Sequence, residues 1–108
     1  MESSVTENTD HQSSLVEKLH SETARIRWHE LQRFFAQGSV LLVSDKLDLV
    51  RVAVYFAQDD SEALKPYLDT GQVAPPADKQ AKEWYDNDVE LWSVVVAPFV
   101  LVQEKHVN

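Results

Sequence analysis

No cysteine occurs in the sequence. Disulfides, thiolate zinc sites, iron–sulfur clusters and cysteine nucleophiles are therefore excluded. Glycine occurs only twice, at Gly38 and Gly71, so no glycine-rich loop can wrap a phosphate. No serine sits in the G-x-S-x-G elbow of a hydrolase. Basic residues are scarce: 10 Lys and Arg stand against 18 Asp and Glu, for a net charge of −8. They are also scattered. Residues 1–37 carry 6 acids and 4 bases, residues 38–71 carry 6 and 3, and residues 72–108 carry 6 and 3. An even acidic coat repels polyanions, so neither nucleic acid nor a membrane surface is an expected partner. The apolar run 91–102 is shorter than the roughly 20 residues that span a bilayer. Residues 1–8 lack the basic and apolar regions of a secretory signal, and the expected location is the cytoplasm.

Hydrophobic residues make up 44% of the 108, enough for the core of one domain. The expected organisation is a polar tail over residues 1–13, a single globular domain over 14–104, and a short tail over 105–108. Trp92 to Gln103 is almost uncharged, rich in β-branched residues and broken by Pro98. It reads as two short buried strands bent at Ala97-Pro98. Val40 to Val43 reads as another strand. Leu15, Leu19, Thr23 and Ile26 predict a helix over about 15–25, followed by a bend at Arg25-Ile26-Arg27. Trp28, Leu31, Phe34 and Phe35 predict a second helix that stops at Gly38. Leu47 to Ala57 fits either period; Ser44 or Asp45 as the cap before it, the Asp59-Asp60 stop and its length favour helix over strand. A helix from Asp60 or Ser61 should turn Leu64 and Leu68 inward and end at Gly71, with Pro66 forcing a late start or a kink. Val73 to Pro76 reads as a stiff loop, and Asp78 as the cap of a helix carrying Ala81, Trp84 and Tyr85. The expected fold is α+β: four to five short helices on a small, mostly antiparallel sheet of about three strands, 40–43, 90–97 and 99–104.

Several phrases taken together resemble a known pattern: Glu22 to Ile26, Trp28 to Ala36, Leu47 to Val50, Ala57 to Asp60, and Pro98 to Gln103. Their order and spacing resemble the small bacterial family catalogued as domain of unknown function 2288, over about residues 15–104. The resemblance implies a single-domain cytoplasmic bacterial protein and brings no activity with it. The polar tail and Pro75-Pro76 have no place in the pattern.

Residues able to carry chemistry form no catalytic constellation. His11 and His106 lie in the expected tails, and His20 and His29 are nine apart, so they do not share a helix face. His29-Glu30 is not followed by the second histidine of a zinc helix. No metal and no cofactor is expected. Glu22, Arg25 and His29 would share a face if one helix ran on, with Glu30 and Arg33 a further i, i+3 pair. They read either as surface ion pairs or as an anion clamp using Arg25 and Arg33. Asp59 and Asp60 read as a helix stop and cap, or as a carboxylate pair that binds a cation. Trp84 and Tyr85 diverge on their helix, so one of them can face outward and anchor a partner. A small sheet leaves two edges that must be covered or used. Apolar residues beside such an edge suggest a homodimer or a protein partner. The expected function is a non-enzymatic interaction or binding domain. The alternative is a small-metabolite or anion binder, or a minor enzyme, with a pocket near Arg25, His29 and Asp59.

Overall fold

A computed structural model describes residues 14–105 of the chain. Helix α1 occupies residues 14–22. It is followed by β1 (Ala24–Arg27), α2 (Trp28–Ala36), β2 (Val40–Val43), α3 (Leu49–Ala57), α4 (Ser61–Asp69), β3 (Val73–Ala74), α5 (Asp78–Asp86), β4 (Glu90–Val96) and β5 (Phe99–Gln103). The expected tails, with His11 and His106, lie outside the described residues, Lys105 excepted.

The strands form one sheet in the order β1-β4-β5-β2-β3. β4 and β5 are an antiparallel hairpin that turns through the cis Ala97–Pro98 bond. β1 and β3 pair antiparallel with β4 and β2 and form the two edges. β2 runs parallel to β5. Alternation sends successive side chains to opposite faces. Leu41, Val43, Val94, Val96 and Leu101 face a core closed by Leu19 of α1, Leu49 and Ala53 of α3 and Leu64 of α4. Val40, Leu91, Val100 and Val102 face a second core under Trp28 and Leu31 of α2 and Ala81 and Trp84 of α5. With helices on both faces, the central strand β5 is buried from Val100 to Gln103, which explains its unbroken apolar run.

Trp28 and Trp84 meet edge to face, their ring centroids 4.9 Å apart. Truncating such a buried ring to alanine typically costs about 3–5 kcal/mol. Gln103 is a buried polar residue on β5. Its Nε2 donates to the carbonyls of Ser44 and Leu47, each at 2.8 Å, and so ties the β2–α3 loop to the sheet.

The α+β architecture agrees with the sequence reading, and residues 49–57 are helical. The N-cap of α3 is Asp48, not Ser44 or Asp45, because the helix starts only at Leu49; the Asp48 carboxylate accepts from the amides of Val50 and Arg51 at 3.0 and 3.3 Å. The sheet differs from expectation. Among the described residues it has five strands, not about three, and it is mixed. β1 replaces the end of the first helix and the bend after it. Only Ile26 of its four residues is partly buried, so it carries almost no strand pattern and depends on β4 for its conformation. β3 lies in the expected loop and is two residues long. The parallel β2–β5 pair joins strands separated by three helices, so no hairpin turn constrains their relative direction. In α4 the helix starts at Ser61 with Pro66 inside it, and Leu68 is exposed, not turned inward. Asp78 is the first residue of α5, behind the cap position Ala77.

Two of the helices terminate on a left-handed aspartate. α3 ends with Asp59 at φ 55°, where Asp59 N–H bonds Phe56 O and Asp60 N–H bonds Tyr55 O. α5 ends the same way on Asp88 at φ 51°, with Asp88 N–H to Tyr85 O and Val89 N–H to Trp84 O. These paired bonds satisfy the last carbonyls of a helix, a position usually given to glycine. Aspartate tolerates it better than other side chains do.

Candidate functional site

The site is built around the open edge of β4. Its register with β1 covers Glu90 to Ser93 and stops there, because the chain before Ala24 turns away into α1. Val95 sits opposite Val100. Val100 sends its amide the other way, to Ser39 O at 2.9 Å. The Val95–Val100 pair is therefore a non-hydrogen-bonded one, and the amide and carbonyl of Val95 point outward. They have no partner among the described residues. The Val95 side chain is 58% exposed.

Two clefts flank this edge, and Val95 and Ala97 line both. On the α2 side lies a cleft of about 460 Å³ with walls from Ile26, Phe34, Phe99 and Val100 and with Glu30 and Arg33 at its polar positions. The Arg33 guanidinium lies over the Phe34 ring, 5.0 Å from its centre. On the α1 side lies a cleft of about 320 Å³ formed by Leu15, Leu19, Phe56 and Val96, with Lys18, Glu22 and Asp59. Glu22 and Asp59 form no ion pair among the described residues. A third cleft, between α2 and α5, is lined by Gln32, Phe35, Asp78, Lys82 and Asp86. Its charged groups are partly spent on each other, Lys82 Nζ standing 2.8 Å from Asp86 Oδ2.

A separate polar cluster closes the other end of β4. Arg27 forks onto Asp88, with Nε to Oδ1 at 3.1 Å and Nη2 to Oδ1 and Oδ2 at 2.9 Å each. These bonds, and then the carboxylate's charge, hold the Arg27 pKa above its ordinary value. His29 stacks on Tyr85 at 4.4 Å and its Nε2 lies 3.2 Å from the Tyr85 carbonyl. Its Nδ1 is 3.9 Å from Asp88. Arg25 pairs with Glu90 at 3.2 Å.

The structure sorts the sequence candidates into these two places. Glu22, Arg25 and His29 do not share a helix face, because strand β1 separates α1 from α2. Glu22 and Asp59 line one cleft, Arg33 lines the neighbouring one, and Arg25 and His29 line none of these three clefts. Among the described residues none of these three clefts joins Arg25, His29 and Asp59. Asp60 is the N-cap of α4, its carboxylate accepting from the Ala63 amide at 3.2 Å. Trp84 is a core residue, 2% exposed, with its Nε1–H donating to Glu104 at 3.2 Å. Tyr85 is the exposed member of that pair, and it is occupied by His29. Sequence reasoning missed Val95, Arg27 and Asp88. Val95 lies inside an apolar run like its neighbours, and no local signal marks where its partner strand stops.

Among the described residues no group of three or more histidines and carboxylates could hold a metal ion, and no helix is long and apolar enough to cross a membrane. No curated protein matches the chain. An NMR solution structure of PA1075 from Pseudomonas aeruginosa is similar, with 45% identity, a TM-score of 0.74 and 88% of each chain covered. The family model described as "Protein of unknown function (DUF2288)" matches residues 14–104. On the fold, that relative and a match across nearly the whole described chain, the protein belongs to the DUF2288 family, for which no specific function is indicated.

Proposed function

We propose that this chain is a non-enzymatic binding module that accepts an extended segment of a partner protein as an extra strand beside Val95. The observation that carries the reading is the outward amide and carbonyl of Val95, set between two clefts at the point where β1 stops. Strand addition uses such an edge for main-chain bonds and uses pockets on either face for alternate side chains. Among the described residues no serine, threonine, histidine or tyrosine lines either cleft. The residues there supply shape, apolar surface and charge. The setting on this reading is the bacterial cytoplasm, supported by a chain without cysteine.

The test is an NMR titration of the ¹⁵N-labelled full chain with the capped peptide acetyl-Thr-Gln-Leu-Gln-Thr-amide. Shifts centred on Val95 and Val96, with Ile26, Phe34 and Phe99 following, are the expected result. Saturating peptide without shifts at Val95 overturns the reading. So does concentration-dependent broadening of Val94 to Val96 in the absence of peptide, with a rising sedimentation mass, because the occupant is then a second copy.

A further inference from the structure

The alternation of a β-strand also defines which side chains such a segment must carry. A residue placed opposite Val95 shares its face and points into the α2-side cleft. That cleft is apolar in its body, and about 460 Å³ admits a leucine or phenylalanine side chain. The next residue, opposite Val96, points to the other face, where Glu22 and Asp59 line the α1-side cleft. Neither carboxylate has an ion-pair partner among the described residues. Among the described residues Lys18 is the only base lining that cleft, which leaves a formal charge of −1 from its three charged residues. The surrounding surface adds to the same field, since the whole chain carries −8.

Building on the strand-addition reading, we propose that the segment recognised at Val95 pairs a large apolar residue with an adjacent lysine or arginine. The apolar side chain fills the cleft beside Phe34 and Phe99. The base crosses to the opposite face and meets Glu22 and Asp59. Acidic segments are rejected there, because a carboxylate opposite Val96 would face two others. The affinity comes from main-chain bonds and the apolar pocket, and the choice of partner comes from the carboxylates.

The experiment compares three capped peptides on the full chain by the same NMR titration: acetyl-Thr-Lys-Leu-Lys-Thr-amide, its Glu-Leu-Glu counterpart, and a Lys-Ser-Lys counterpart. Placing the charged residue on both sides of leucine reads either strand direction. Exposed charge pairs are worth little individually, so the lysine peptide is expected to bind about fivefold tighter than the glutamate one. The serine version is expected to lose most of the binding. In the Glu22→Gln, Asp59→Asn double variant the preference should fall to nearly none. A Glu62→Gln, Glu83→Gln double variant has the same net charge and should keep the preference, which separates the site from the overall field. Equal binding of lysine and glutamate peptides overturns the inference, as does a preference that survives the Glu22→Gln, Asp59→Asn change. Either result leaves strand addition standing if the Gln-Leu-Gln peptide still shifts Val95. Silence from every peptide removes both.

Discussion

Leu91 and Val95 stand four residues apart on β4 and point to the same face of the sheet, yet Leu91 is 1% exposed and Val95 58%. At Leu91 the strand is paired with Ile26 of β1, and α2 and α5 cover the side chain. At Val95 it is paired, among the described residues, with β5 alone. The two ends of β4 also lie near helices that terminate on a left-handed aspartate. Asp88, just before β4, is gripped by Arg27 and approached by His29. Asp59, lining the cleft at the far end, has no ion-pair partner among the described residues. One strand thus has a closed, structural end and an open end. The difference arises where the neighbouring chain leaves the sheet, and owes nothing to hydrophobicity.

Hydrogen exchange breaks this comparison most directly. Val94 and Val96 direct their amides to β5, whereas Val95 directs its amide outward. If β4 ends as described, the Val95 amide exchanges at least about a thousandfold faster than those of Val94 and Val96, the ratio for a few kcal/mol of protection. Similar protection at all three would mean that the edge is covered. Next in size, Leu91→Ala should lower the unfolding free energy by about 2–5 kcal/mol in urea titrations, as for other fully buried leucines. Asp59→Gly should make the protein about 0.5 kcal/mol more stable, since glycine relieves the left-handed conformation at some entropic cost in the unfolded chain. Asp88→Gly receives the same relief but loses the Arg27 fork, so its gain in thermal midpoint should be smaller than that at position 59. Val95→Thr is the smallest, expected within about 0.5 kcal/mol of the parent, as for other exposed positions.

Much of the fold was legible because it is written locally. Trp28 to Ala36 declares its helix through apolar spacing, Gly38 ends it, and Trp92 to Gln103 announces a buried hairpin through its valines and Pro98. Leu47 to Ala57 was harder, since its apolar residues satisfy both periods, and Asp48 settles it as a cap. β1 was not legible: Ala24-Arg25-Ile26-Arg27 carries a single large apolar residue and becomes a strand only because β4 offers an unpaired edge. The site was half legible. Glu22, Asp59 and Arg33 were singled out by charge, but their grouping depends on α1, α3 and α2 meeting around Val95. The choice between Trp84 and Tyr85 stayed open for a related reason. Neighbouring aromatics on a helix diverge, and which one turns inward depends on where Trp28 stands.

The sequence alone determined the absence of thiol chemistry, the net acidic charge and most helices. Each of these is set by residue type or by spacing within about ten positions. The tertiary structure decided the mixed order of the sheet, the length of β1, and the exposure of Val95 among buried valines. These depend on contacts between distant segments, and a pattern read along the chain holds no record of where a neighbouring strand ends.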